Sequence, residues 1–207
     1  MKMKELAKKF KKEIILGESV VIKPGVHFEG HVIVGDNSVI GPNCYIRDFT
    51  SIGKNCKIGN GSEVKHSIIM DNSNVPHLNY VGDSVLGEHC NLGAGTKIAN
   101  LRHDNQPIKV LVNGEVKDSG KRKLGVFLGD YTKTGITTSF YPGVIAGPFS
   151  WTLPNSTVNS NIEPFRLYGN SKQLIPKERI SGVVEDKKKT IFIESLYDKL
   201  KGLNYKR

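Results

Sequence analysis

Apolar residues recur at every sixth position through the first third of the chain. The register comprises Leu16, Ile22, Phe28, Val34, Ile40, Ile46, Ile52, Ile58, Val64 and Met70. Four positions after most of these residues stands a short side chain, such as Ser38, Cys44 or Thr50. A period of six fits neither an α-helix, which repeats about every 3.6 residues, nor a simple alternating strand. It is typical of a coil in which each hexad supplies one short strand and one tight turn.

This period predicts an all-β fold, a parallel β-helix of hexapeptide repeats in which three hexads close one triangular rung. Both the apolar position and the short position face inward, and stacking of the rungs makes the core. The register changes after Met70, and we interpret the interval up to Tyr80, which contains Pro76, as a bulged rung. A second register then holds at Tyr80, Leu86, Leu92 and Ile98.

The hexads stop at about 100–123, which predicts an external loop, and they resume from Leu128 to Val158. Within the loop, Asn113 and Gly114 lie between short apolar runs, which indicates a β-hairpin. Long loops in a compact repeat are usually functional or disordered.

The hexads also define the domain organisation. We expect an N-terminal helix at 1–14, a β-helix domain at 15–160, and a C-terminal extension at 161–207 with an amphipathic helix at 187–201. The first segment is too short and too charged for a signal peptide or a membrane span.

Charge and cysteine content narrow the range of partners. The formal net charge of +10 favours phosphorylated ligands, and no nucleic-acid-binding signature or membrane segment accompanies it. Cys44, Cys56 and Cys90 all fall at the short interior position, where a buried thiol is a small apolar group. We therefore expect no disulfide and no metal site, and the odd number of cysteines favours the cytoplasm.

Stacking of the rungs brings distant charges together. Arg47 and Lys65 are eighteen residues apart, so in an eighteen-residue rung they lie one above the other and form a pocket for a phosphate. His77 follows Lys65 by twelve residues, two hexads further on.

The segment from Val75 to Thr96, with Asn100-Leu101-Arg102-His103-Asp104 and Lys121-Arg122-Lys123, is more specific than the hexads. It resembles the acetyltransferase half of the bifunctional N-acetylglucosamine-1-phosphate uridylyltransferase/glucosamine-1-phosphate acetyltransferase family, in particular its archaeal sugar-1-phosphate nucleotidylyltransferase/acetyltransferase branch. The similarity covers roughly residues 15–160. It implies a left-handed coil, a homotrimer with sites at subunit interfaces, acetyl-CoA as co-substrate and an amino-sugar 1-phosphate as acceptor, in the pathway to UDP-N-acetylglucosamine.

The resemblance also implies a role for individual residues. His77 matches the general base, Glu63 a carboxylate near it, and Asn100 a residue beside the acetyl group. Histidine suits the first role because its ordinary pKa lies near the working pH. The remaining matches are Arg47 and Lys65 for the sugar phosphate, Tyr80 and Asn91 for other substrate contacts, and Ala94 for the pantetheine arm. Lys133, Lys121 and Arg122, together with Lys123, are candidates for the phosphates of coenzyme A.

Three departures from the family pattern keep a second reading open. No nucleotidyltransferase half is present in the sequence, so uridylyl transfer is not expected. Leu101 stands where many bacterial members have an aromatic residue, and Asp130 replaces a small residue near the expected coenzyme A contacts. The alternative is a non-catalytic β-helix subunit or a sugar-phosphate-binding partner of a separate nucleotidyltransferase. A third reading keeps the chemistry but takes a nucleotide-linked amino sugar as acceptor.

Overall fold

A computed structural model describes residues 14–169, 173–184 and 186–202. The chain winds through three faces in turn, each face a sheet of short parallel strands. The first face contains β1 (Ile14–Leu16), β4 (Val32–Val34), β7 (Thr50–Ile52), β10 (Ile68–Ile69), β13 (Val85–Leu86), β17 (Phe127–Leu128) and β19 (Ile145–Ala146). The second contains β2 (Val21–Ile22), β5 (Val39–Ile40), β8 (Lys57–Ile58) and β11 (Asn74–Val75). The third contains β3 (His27–Phe28), β6 (Tyr45–Ile46), β9 (Glu63–Lys65), β12 (Tyr80–Gly82), β14 (Lys97–Ile98), β18 (Ser139–Phe140) and β21 (Thr157–Val158).

Isolated bridges and a smaller sheet continue the second face. Asn91 pairs with Asn74 on one side and with Lys133 on the other, and Lys133 pairs with Trp151. The column then passes to β20 (Trp151–Thr152), β22 (Arg166–Tyr168) and β23 (Gln173–Leu174). We call the turns between the first and second faces the first edge, those between the second and third faces the second edge, and those between the third and first faces the third edge.

The parallel β-helix predicted from the hexads is confirmed. Val34, Ile40, Ile46, Ile52, Ile58 and Val64 are all buried in one continuous core. Leu16 and Ile22 belong to the end rung of the described coil and stay 45% and 39% exposed.

The register change lies elsewhere than the sequence indicated. Ile69, not Met70, fills the core after Val64, and Val81, not Tyr80, continues it. The step is five residues at Val64–Ile69 and again at Val81–Leu86, so strands pair seventeen residues apart, as Tyr80 does with Glu63. The predicted bulge at 70–80 is therefore wrong, because the shortening occurs at the third edge, while β11 and β12 follow one regular hexad.

The short interior positions carry hydroxyls and thiols whose hydrogen bonds tie neighbouring rungs together. The Ser73 hydroxyl donates to the Gly87 carbonyl at 2.8 Å and accepts the Cys90 N–H at 2.9 Å. Because these groups are buried, pairing them avoids the cost of a lone polar group in the core. Cys44, Cys56 and Cys90 are buried and unbridged, as expected.

The external loop contains the predicted hairpin. β15 (Lys109–Val112) and β16 (Glu115–Asp118) pair antiparallel. Asn113 and Gly114 both have positive φ, as a type I′ turn requires. The hairpin packs along the third edge, where Ile108 is buried and the Asn161 amide donates to the Leu111 carbonyl at 2.8 Å. The chain re-enters the coil at Gly125, where a Cβ atom would lie 2.0 Å from the Ser84 hydroxyl.

The C-terminal extension forms a second core against the first edge. It contains α1 (Lys177–Ser181) and α2 (Lys187–Gly202), and α2 lies where a helix was predicted at 187–201. Ile193 and Tyr197 of α2 are buried, whereas Ile191 and Phe192 are exposed. Successive turns of the first edge stack the rings of Tyr131, Phe149 and Phe165, and Tyr197 of α2 meets Phe165 edge-on at 5.4 Å.

Residues 1–13 of the predicted N-terminal helix lie outside the described residues, and Ile14 begins β1. Among the described residues, no helix combines the length and apolar character needed to cross a bilayer.

Candidate functional site

Charged and polar side chains gather on the outer surface of the third face and its edge. We call them the third-face cluster: Glu29, Tyr45, Arg47, Glu63, Lys65, His66, Tyr80, Asp83 and Asn100. They come from successive rungs, because β3, β6, β9 and β12 lie side by side in the sheet. Arg47 and Lys65 occupy neighbouring rungs, as the eighteen-residue spacing indicated.

Arg47 is held by two carboxylates. Its Nη1 donates to Glu63 Oε1 at 3.0 Å, and its Nε donates to Glu29 Oε2 at 3.3 Å. The hydrogen bond to Glu63 is the main reason that the pKa of Arg47 is raised. Its guanidinium also lies 5.4 Å from the centre of the Tyr45 ring, and Tyr45 donates to Glu29. A planar cation fixed in this way can present its remaining donors to a phosphate.

Asp83 is the centre of the second half of the cluster. Asp83 Oδ2 accepts from the Asn100 amide at 2.5 Å and lies 3.7 Å from Lys65 Nζ, while Oδ1 lies 3.3 Å from His66 Nδ1. The side chains of Lys65 and Asp83 are only 7% and 13% exposed. A cation so deeply buried needs a charged partner, and Asp83 provides it.

Tyr80 joins the two halves. The Asn100 amide donates to the Tyr80 hydroxyl at 3.2 Å. Burial, followed by the negative charge of Glu63, raises the pKa of Tyr80. The phenol therefore stays protonated at neutral pH and is available as a hydrogen-bond donor.

His77 lies apart from this cluster, at the second edge. The backbone N–H of His77 donates to Asn79 Oδ1 at 2.9 Å, and its backbone carbonyl accepts from the Gly95 N–H at 3.0 Å. The side chain is exposed, and within the described residues no hydrogen-bond partner of the ring is found. Glu63, expected beside this histidine, instead bonds Arg47.

Three further expected site residues share the second edge or the second face with His77. Ala94 occupies the turn stacked above His77, and Asn91 and Lys133 are consecutive members of the second-face column. We call His77, Asn91, Ala94 and Lys133 the second-face group. One chain thus divides the predicted residues between two faces that meet at the second edge.

The basic loop residues belong to neither group. Lys121 and Arg122 are exposed on the return arm of the hairpin loop. Arg122 Nη2 donates to Asn105 Oδ1 at 3.4 Å, and the Lys121 carbonyl accepts from Ile108 N–H at 2.8 Å.

Asp130, which stands where the family pattern has a small residue, makes a hydrogen bond to the backbone of a neighbouring rung. Its Oδ1 accepts the backbone N–H of Glu88 at 2.8 Å. Asp36 and Asp71 do the same for Glu18 and Lys54 at 2.9 and 2.8 Å, so this contact recurs along the first edge. Asp130 therefore belongs to the scaffold of the turns.

Sequence reasoning missed Asp83, His66, Glu29 and Tyr45. The rung period would have found one of them, since Glu29, Arg47 and Lys65 are successive members of one eighteen-residue series. Asp83 does not continue that series in the structure, because Lys65 pairs with Gly82, seventeen residues on. Asp83 and His66 occupy the positive-φ positions of the two shortened turns, with φ of 51° and 46°.

Burial makes Cys90 a poor nucleophile. It raises the pKa of its thiol to about 12. A thiol that stays protonated at neutral pH attacks an acyl group only slowly, because the thiolate is the nucleophile.

The fold and the composition of these sites define a class, the hexapeptide-repeat β-helix proteins. Within it, the family model described as "GMPPB C-terminal domain" matches residues 28–135, just over half of the chain, and the chain belongs to that family.

Two curated relatives have sequences similar to that of this chain. "Bifunctional protein GlmU" of Methanococcus aeolicus is 47% identical over 120 residues, which cover 58% of this chain and 29% of that protein. "Bifunctional sugar-1-phosphate nucleotidylyltransferase/acetyltransferase" of Sulfurisphaera tokodaii is 50% identical over 100 residues, covering 48% of this chain and 25% of the relative. The match thus spans less than a third of the length of each relative. These similarities confirm the resemblance to the acetyltransferase part of that family that the sequence indicated.

A solved structure supports the architecture. UDP-N-acetylglucosamine acyltransferase from Campylobacter jejuni matches with a TM-score of 0.50 and 17% identity, covering 89% of this chain and 79% of that one. At this identity the likeness shows the shared fold.

Proposed function

We propose that this protein is an N-acetyltransferase that moves the acetyl group of acetyl-CoA to the amine of an amino-sugar 1-phosphate, glucosamine 1-phosphate or galactosamine 1-phosphate. The observation that carries the proposal is the third-face cluster, where two stacked cations, a protonated phenol and an oriented amide surround one surface. The similarity to a relative named "Bifunctional sugar-1-phosphate nucleotidylyltransferase/acetyltransferase" supports the same chemistry.

In this proposal the third-face cluster binds the acceptor. The phosphate takes the donors of Arg47 and Lys65, for which it competes with Glu63 and Asp83. Tyr80 and Asn100 then contact the sugar or the acetyl group. Phosphate binding by a buried, already oriented cation costs less side-chain entropy than binding by a free surface lysine.

His77 acts as the general base. A ring nitrogen of His77 takes a proton from the substrate amine while the amine nitrogen attacks the thioester carbonyl carbon of acetyl-CoA. The carbon–sulfur bond then breaks, and the sulfur leaves as the thiolate of coenzyme A, which takes up a proton. No acyl-enzyme forms, in keeping with the high pKa of the buried Cys90 thiol.

A homotrimer completes the site. The third-face cluster and part of the second-face group lie on different faces of one chain, so we propose that the second face of one subunit approaches the third face of the next. Sedimentation equilibrium should give the mass of three chains. A fully active monomer would contradict this part of the proposal.

The experiment that tests the activity follows free thiol from acetyl-CoA with each amino-sugar 1-phosphate in turn, and with a nucleotide-linked amino sugar as a third acceptor. We expect rapid thiol release with at least one of the two 1-phosphates. Release only with the nucleotide-linked sugar would move the acceptor assignment to that class.

One observation favours the second candidate, a non-catalytic sugar-phosphate binder. His77 has no described carboxylate partner to orient it, although the cluster around Arg47 and Lys65 is fully built. Tight binding of an amino-sugar 1-phosphate without thiol release from any acceptor would establish this alternative.

A further inference from the structure

A groove lies between the upper second face and the C-terminal extension. Its volume is about 370 Å³, and its polar lining residues include Lys133 on the coil and Arg179 on α1. Trp151 also lines it, and Leu153, Leu174 and Pro176 supply apolar surface. The extension thus turns one face of the coil into a cleft.

The two cations of this groove differ from those of the third-face cluster. Arg47 and Lys65 each have a carboxylate partner. Within the described part of the chain, neither Lys133 nor Arg179 has a carboxylate within 4.0 Å. Lys133 Nζ lies 6.0 Å from the centre of the Trp151 ring. Two uncompensated positive charges beside an apolar cleft favour a ligand that is both anionic and partly apolar.

Trp151 adds an unused donor. Its indole Nε1 is buried and has no hydrogen-bond partner in the described structure. Buried donors usually have a partner.

The groove is continuous with the second-face group. Asn91, Lys133 and Trp151 are successive members of one bridge column. Strands in a sheet lie about 4.8 Å apart, so Trp151 lies roughly 10 Å above Asn91 along the coil. A long ligand whose reactive end reaches Asn91 and Ala94 can extend upward into the groove.

We infer that this groove binds the nucleotide end of the acyl donor, with the adenine ring against the apolar walls and the phosphates between Lys133 and Arg179. The inference rests on the proposed function, since it takes an acyl-coenzyme A as the donor. It adds Trp151 and Arg179 to the donor site and gives the C-terminal extension a role in binding.

The test uses the full-length protein and adenosine 3′,5′-bisphosphate, the nucleotide part of coenzyme A. Calorimetry measures the Kd, and Trp151, the only tryptophan in the chain, reports the location through its fluorescence. We expect saturable binding with a fluorescence change. Lys133→Gln and Arg179→Gln should each raise the Kd about tenfold, the scale of one charge-assisted hydrogen bond.

Lys57→Gln is the matched control, because Lys57 is an exposed lysine of the same column below Asn74. It should leave the Kd unchanged. The inference is overturned if the nucleotide does not bind, if both groove variants bind it normally, or if inorganic phosphate binds equally well. Nucleotide binding without thiol release would support the groove and overturn acetyl transfer. Thiol release with an unchanged KM for acetyl-CoA in both groove variants would support acetyl transfer and overturn nucleotide binding in the groove.

Discussion

The first edge and the shortened turns of the third edge use aspartate for different purposes. At the first edge, the Asp130 carboxylate accepts a backbone N–H from the rung below, as Asp36 and Asp71 do. At the third edge, the Asp83 carboxylate faces three side chains, Lys65, His66 and Asn100. An aspartate whose oxygens bond the backbone stabilises the turn, whereas one whose oxygens bond other side chains can position them for a ligand.

The length of the turn explains the difference. The third edge is one residue shorter at Val64–Ile69 and at Val81–Leu86. The shortening places His66 and Asp83 at the positive-φ positions and leaves Lys65 93% buried at the end of its strand. The regular edge is scaffold, and the shortened edge carries the candidate site.

The largest expected effect concerns two histidines at different edges. His77→Ala should lower kcat at least ~100-fold, the usual contribution of a general base, with the assembly intact. His89→Ala is the control, because His89 is a first-edge turn residue whose ring stacks on Tyr131 at 4.5 Å. Steady-state thiol release compares the two. Equal losses in both variants would show that the second edge has no special role.

Asp83→Asn should affect both stability and turnover. Removing one partner of a buried ion pair typically costs about 3 kcal/mol or more, so we expect a loss of this size in the free energy of unfolding. Loss of the charge that orients Lys65 and Asn100 should also lower kcat/KM for the acceptor roughly tenfold. Urea denaturation and acceptor kinetics measure these effects. Normal acceptor kinetics in a folded variant would reduce Asp83 to a structural residue.

Asp130→Ala should affect stability alone. It removes the acceptor of the Glu88 N–H, a contact worth about 1 kcal/mol. We expect a small fall in Tm and an unchanged KM for acetyl-CoA. A large rise in that KM would show that Asp130 contacts the donor directly.

The smallest effect is a pH dependence at the first edge. The side-chain hydrogen bond from Lys54, followed by the Glu18 N–H, lowers the pKa of Asp36 below its ordinary value. A lowered folded-state pKa gives stability that is present above the unfolded-state pKa and lost as the pH falls through the folded-state pKa. Asp36→Asn should therefore have a lower urea midpoint than the parent at pH 7, and the difference should shrink in acid. A difference that grows in acid would contradict the assignment.

Much of the fold is readable from the sequence because the interior of the coil accepts one aliphatic and one short residue per hexad. The register slip was misplaced because Ile68, Ile69 and Met70 are all apolar, so the pattern itself does not show which one faces inward. Tyr80 and Val81 pose the same ambiguity. The inward residues are decided by the length of the third-edge turn.

The candidate site was only partly predictable for the same reason. The position of Arg47 and Lys65 on neighbouring rungs, one above the other, follows from the eighteen-residue rung period. The contacts of Asp83 depend on a seventeen-residue rung that the uniform period hides. The groove beside Trp151 depends on how the C-terminal extension packs, and that segment has no repeat to guide prediction.

The most direct measurement follows the acetyl group itself. Acetyl-CoA labelled with carbon-13 in the acetyl group is incubated with the protein and glucosamine 1-phosphate or galactosamine 1-phosphate, and mass spectrometry identifies the labelled product. We expect the label on the amine of at least one sugar phosphate, and its loss in His77→Ala. Label that stays on coenzyme A with both sugars, while the sugars bind at the third-face cluster, would contradict an acetyltransferase.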